Sequence, residues 1–220
     1  MNWTPAWVSL RIACAATFVC FAVGVPIAWA LARRKVPWVE FWTALVSLPL
    51  VLPPTVLGYY LLQGIGRRSL IGRALEGVTG QPLVFTWPAA ALACAVLGLP
   101  LLVRTLQTAF EDVDPELEAA ARTLGATEWQ TFFTVTLPVS RGGLVAGTTL
   151  AFARSMGEFG ATLMVAGSIP GETQTVAIAI YDAVQLGNDT EANGLALTAT
   201  AVTLAATGLV TLCARRRRRK

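Results

Sequence analysis

Long apolar stretches alternate with short polar segments along this chain. Stretches 12–32, 41–62, 82–103 and 192–214 contain no Asp, Glu, Lys or Arg. Each matches or exceeds the ~20 apolar residues needed to cross a hydrocarbon core about 30 Å thick. Stretch 142–167 is as long but carries Arg154 and Glu158. In lipid, segments of this length satisfy their backbone polar groups only as helices. The pattern predicts an all-α integral membrane protein with five transmembrane helices, at about 8–32, 41–62, 84–107, 142–167 and 192–214, forming one domain over 1–220.

The polar intervals predict orientation. If the Arg33-Arg34-Lys35 cluster is internal, twelve Lys and Arg side chains fall inside, and only Arg67, Arg68 and Arg73 fall outside. Arg11 and Arg154 are left within spans. This bias predicts an external N-terminus and an internal C-terminus. The first span is not expected to be a cleaved signal peptide, because its leading segment lacks positive charge and basic residues follow it. In the second span, Pro49, Pro53 and Pro54 remove backbone donors and predict a bend or break. Broken backbone at membrane depth is tolerated against protein or a water-filled cavity, so Pro49, Pro53 and Thr55 are candidates either for lining a pathway or for an ordinary kink. Residues 63–81 read as an outer loop. Farther on, Val176, Ile180 and Val184 recur at helical spacing, which predicts a short helix on or dipping into the outer leaflet.

Residues 114–138 are water-compatible, yet they sit between spans. Asp114 is a suitable N-cap, Pro115 suits the first helical position, and Glu116 and Glu118 favour the positive helix end. Leu117, Ala121 and Leu124 share one face, and Gly125 supplies a stop. Thr127 with Gln130 then forms a capping box, Trp129, Phe132 and Phe133 share a face, and Leu137-Pro138 closes the block. Two short internal helices are therefore expected, serving either as a docking surface for another protein or as a loop folded back on the bundle.

Composition narrows the chemistry. Hydrophobic residues make up 55% of the 220 and charged residues only 14%, against roughly a quarter charged in soluble domains. The basic tail 215–220 lies next to a span, where anionic headgroups are its expected contact and nucleic acid is not. Cys14, Cys20, Cys94 and Cys213 all lie in apolar stretches without metal or disulfide spacing, and histidine is absent. No catalytic constellation or cofactor site is expected, and no phosphate-binding G-x-x-x-x-G-K-[ST] sequence occurs.

The charged stretch has its own logic. Gly143, Gly147, Ala151 and Ser155 repeat every four residues, a stripe that permits close packing between helices or between subunits. On a straight helix at about 100° per residue, Arg154 and Glu158 fall near that stripe. Each charge costs about 2.5–3.5 kcal/mol at mid-membrane, so the two are expected to pair. They either line and gate a path for an anion or merely lock helix packing. The order Arg before Glu is the less favourable one on a continuous helix.

The block's spacing resembles the cytoplasmic loop signature of ABC importer permeases, Glu-Ala-Ala, three residues, Gly, nine residues, an aliphatic, one residue, Leu-Pro. Gly125, Val135, Leu137 and Pro138 fall in register, and the triplet becomes Ala119-Ala120-Ala121, so alanine replaces the signature glutamate and Glu118 stands one position earlier. Together with residues 151–164 and 167–175, the chain resembles most closely the molybdate branch of that family. The resemblance implies a MetI-like fold in the inner membrane and a pathway formed by a homodimer. It further implies two ATPase subunits that carry the ATP–Mg and an external oxyanion-binding protein. Docking to the ATPase would fall to Glu116, Glu118, Ala120, Ala121, Arg122, Gly125, Leu137 and Pro138. Tungstate or sulfate is the alternative cargo. A secondary transporter or channel independent of ATP is the alternative mechanism.

Overall fold

The computed structural model describes residues 3–33 and 37–218, with side-chain surroundings through residue 205 and at 208. Arg34 and Lys35, and the side chains of the basic tail, lie outside the described residues.

Helix α1 (Thr4–Ala32) is continuous through Pro26 and opens with Pro5, whose missing N–H is no loss in a first turn. It packs along α5 (Trp87–Glu111) and along α9 (Arg141–Met156), and α5 packs on α9 in turn. Alanines, Cys20, Leu102, Leu106 and Phe110 form the shared core, and the small side chains let these backbones approach closely. Helices α1 and α5 are individually long and apolar enough to cross a membrane.

The second predicted span is broken. Helix α2 (Val39–Val51) runs through Pro49 without stopping, and α3 (Pro54–Ile65) leaves it at 108°. The break belongs to Leu52 and Pro53, whose extended ψ angles of 140° and 135° are what a residue preceding proline adopts. The segment read as an outer loop contains α4 (Leu70–Thr79), capped by Ser69, whose hydroxyl accepts the Gly72 N–H at 2.8 Å.

The stretch 142–167, expected as one span, is also broken. Helix α9 ends at Met156 and α10 (Gly160–Ala166) begins beyond Phe159. Beyond it, α11 (Val176–Gln185) covers the residues expected to form the outer helix and packs on α12 (Asp189–Arg218).

In the block, α6 (Pro115–Thr123) is followed by α7 (Glu128–Thr131), a π-helical turn over Phe132–Thr136, and α8 (Leu137–Val139). Leu137 and Pro138 therefore do not end a helix. They continue a helical run that reaches α9 after Ser140 alone.

Candidate functional site

Two features stand out, a pair of facing chain breaks and the helical block at the other end of α9. The breaks come together because α3 packs on α10. A Cβ placed on Gly160 would lie 3.1 Å from Thr55 Cγ2 and 3.5 Å from Pro54 Cβ. One placed on Gly58 would lie 2.8 Å from Met164 Cβ and 2.9 Å from Ala161 Cα. Thr55 and Pro53 are exposed at this junction, whereas Pro49 lies half-buried in α2, away from the break itself.

Arg154 and Glu158 meet across the α9–α10 break at 2.6 Å, with the carboxylate side chain only 2% exposed. The other carboxylate oxygen accepts the Ala161 N–H at 2.8 Å. The break reverses the electrostatic argument made for a straight helix. Arg154 now lies in the last turn of α9 and Glu158 beside the first turn of α10, so each charge faces the helix end that favours it. Ser155 is buried and donates its hydroxyl to the Ala151 carbonyl. The small-residue stripe packs within the chain: Gly143 abuts Ala109, and Gly147 and Ala151 lie against the α5 backbone at Leu102 and Gly98.

The block is locally well specified. Asp114 accepts the Glu116 N–H at 2.9 Å. Gly125, at φ 88°, completes a Schellman stop, with Ala126 N–H donating to Ala121 O at 3.1 Å and Gly125 N–H to Arg122 O at 3.0 Å. Thr127 and Gln130 form the reciprocal capping box. Glu116, Ala120, Arg122, Leu117 and Leu124 are exposed, so α6 offers a free face, and Ala121 is half-buried. Trp129 and Phe133, both exposed, stack at 6.3 Å. Phe132 turns inward against Trp29 of α1 and Phe110 of α5.

Glu118 also turns inward. Its carboxylate is buried, accepts from Arg33 at the end of α1 and accepts from the Thr136 hydroxyl in the π-helical turn. Sequence spacing could place Glu118 off the free face of α6. It gave no signal for the pairing with Arg33, which lies 85 residues earlier. The α9–α10 break did leave a signal, glycines 157 and 160 flanking a charged residue inside an apolar stretch.

Residues 24–219 match the family model described as "Binding-protein-dependent transport system inner membrane component". The chain belongs to this family of inner-membrane transport components. Among curated relatives, the molybdenum transport system permease protein ModB of Escherichia coli K12 is 46% identical over 84% of this chain and 80% of its own length. The putative molybdenum transport system permease protein YvgM of Bacillus subtilis is 41% identical over 86% and 83%. The sulfate transport system permease protein CysT of Escherichia coli K12 is 35% identical over 84% and 71%. Among solved structures, an inward-facing methionine ABC transporter chain superposes with a TM-score of 0.70 at 21% identity, covering 98% of this chain and 93% of that one. The fold is that of the MetI-like ABC permeases, all-helical among the described residues.

Proposed function

We propose that this chain is the transmembrane permease subunit of an ATP-driven oxyanion importer with molybdate as its cargo. The observation that carries the reading is the 46% identity to a molybdenum permease across 184 residues, which include both chain breaks and the helical block. The sulfate permease at 35% identity supports a second, related cargo of the same charge and shape. In this reading two copies enclose the pathway, with five spans each, an outer N-terminus and an inner C-terminus. The facing breaks at Pro53-Thr55 and Gly157-Gly160 line it, and Arg154 lowers the barrier for a dianion while Glu158 holds Arg154 in place. Two ATPase subunits, which bind the ATP–Mg, sit against the exposed face of α6 and the Trp129–Phe133 stack. An external binding protein delivers the anion. The chain itself carries no catalytic site.

Vesicles reconstituted with permease, ATPase and binding protein test the proposal directly. ATP-dependent molybdate accumulation is expected, and accumulation by the permease alone would overturn the assignment. Labelling that finds residues 114–138 outside would overturn the docking reading. Gly125→Pro or Ala120→Trp is expected to abolish ATPase co-purification without affecting membrane insertion. Among Arg154→Gln transporters that assemble, uptake is expected to fall by about tenfold, equivalent to 1.4 kcal/mol of barrier, and full uptake would overturn the electrostatic role.

A further inference from the structure

Glu118 is the nearest acidic residue to the position where the importer signature carries its glutamate, yet it cannot reach a partner from inside the fold. Its carboxylate is buried between Arg33 and Thr136. The same seam is packed by Trp29 of α1, which lies 5.2 Å from Trp129 and 5.1 Å from Phe132. A small cavity at this seam is lined by Arg33 and Glu118 together with Arg122, Glu128, Thr131 and Thr136. A charged pair and an aromatic cluster at the same seam hold the block to α1, to which no short stretch of chain joins it.

At its other end α1 is tied again. Buried Ser9 accepts the Val176 N–H at 2.9 Å, the first N–H of α11. Arg33 and Ser9 are 24 residues apart, about 36 Å along a helix at 1.5 Å per residue. Between them α1 is unbroken and packs against α9 just before its break. Of the other helices that meet the block, α9 is interrupted by the 157–159 break, whereas α5 runs unbroken and meets the block through Phe110 against Phe132.

We infer that α1 is an element the helical block moves, gripped through Glu118 and Arg33, and that α1 carries this movement to α11 on the opposite side through Ser9. Glu118 and Arg33 are positioning residues acting on α1, and the face of α6 turned to the ATPase is made of other side chains. The inference rests on the importer reading above. Wild-type co-purification of the ATPase separates its failure from the failure of that reading.

The test uses the complete transporter in vesicles, measuring molybdate uptake and ATP hydrolysis together. Arg33→Gln is expected to retain ATPase co-purification while uptake per ATP falls by about tenfold, within the usual range of coupling between sites. The exchanged pair, Arg33→Glu with Glu118→Arg, is expected to recover most of that loss. Ser9→Ala, remote from the block, is expected to uncouple in the same sense. Unchanged uptake per ATP in an assembled Arg33→Gln transporter would overturn the inference. So would failure of the exchanged pair beside an uncoupled Arg33→Gln, because Glu118 would then act on the ATPase surface. If Arg33→Gln does not assemble, Ser9→Ala decides: lost coupling supports the lever, and wild-type coupling overturns it.

Discussion

Glu158 and Glu118 are both buried carboxylates held by an arginine, and they differ in how far away that arginine lies along the chain. Glu158 takes Arg154 from four residues earlier and caps the helix that follows it. Its work is local, stabilising two helix ends where the backbone has been interrupted. Glu118 takes Arg33 from the end of α1 and Thr136 from the π-helical turn, so it joins three segments that the sequence keeps apart. The comparison teaches that one chemical device serves two purposes in this protein. At the α9–α10 break it makes an irregular backbone tolerable. At the end of α1 it fastens one structural unit to another.

That difference can be broken experimentally, and the largest effect is expected at the α9–α10 break. Glu158→Ala removes the partner of Arg154 and the acceptor for the Ala161 N–H together. Losing one member of a buried pair costs about 3–5 kcal/mol, enough to abolish assembled protein in detergent, as size-exclusion chromatography would register. Normal yield and melting temperature for this variant would mean that the pair is solvated and that the break stands without it. Next comes Gly58→Leu. Backbone and Cβ atoms of α10 lie within 3 Å of any added Cβ, and overpacking of this kind costs about 1–3 kcal/mol. The breaks would be pushed apart, lowering uptake more than it lowers the thermal-unfolding midpoint.

How much of this was legible beforehand follows the same division between local and distant. The apolar stretches, the proline break, the Asp114 cap, the Gly125 stop and the Thr127–Gln130 box are determined within a few residues, and the sequence carries them openly. The Leu52–Pro53 location of the first break required only the rule that a residue before proline is extended, whereas Pro49 in the same cluster stayed inside α2. The 157–159 break was hidden because Arg154 and Glu158 read as neighbours on one straight helix, although Gly157, Glu158 and Gly160 together argued otherwise. Helix α4 was hidden in a segment whose glycines and arginines read as loop. The Arg33–Glu118 contact and the Ser9–Val176 bond depend on which helices lie side by side, and no local spacing encodes that.

The smallest effect sharpens the comparison most, because it holds the chemistry constant and changes only the surroundings. Asp114 caps α6 as Glu158 caps α10, each carboxylate accepting a backbone N–H at 2.9 and 2.8 Å respectively. Asp114 is exposed, so water replaces the lost acceptor in Asp114→Ala, and the cost is about 1 kcal/mol. The consequence is faster amide exchange confined to 115–118, with no change in the melting temperature of the whole chain. At Glu158, whose side chain is 2% exposed, water must enter the junction to take over, and a buried backbone group left unsatisfied costs several kcal/mol. The ratio of the two losses therefore measures how dry the 157–160 junction is. If Glu158→Gln, which keeps an acceptor, proves as mild as Asp114→Ala while Glu158→Ala is severe, the hydrogen bond to Ala161 dominates. If Glu158→Gln is as severe as Glu158→Ala, the charge facing Arg154 dominates, and the junction is dry enough for an unpaired guanidinium to be the larger penalty.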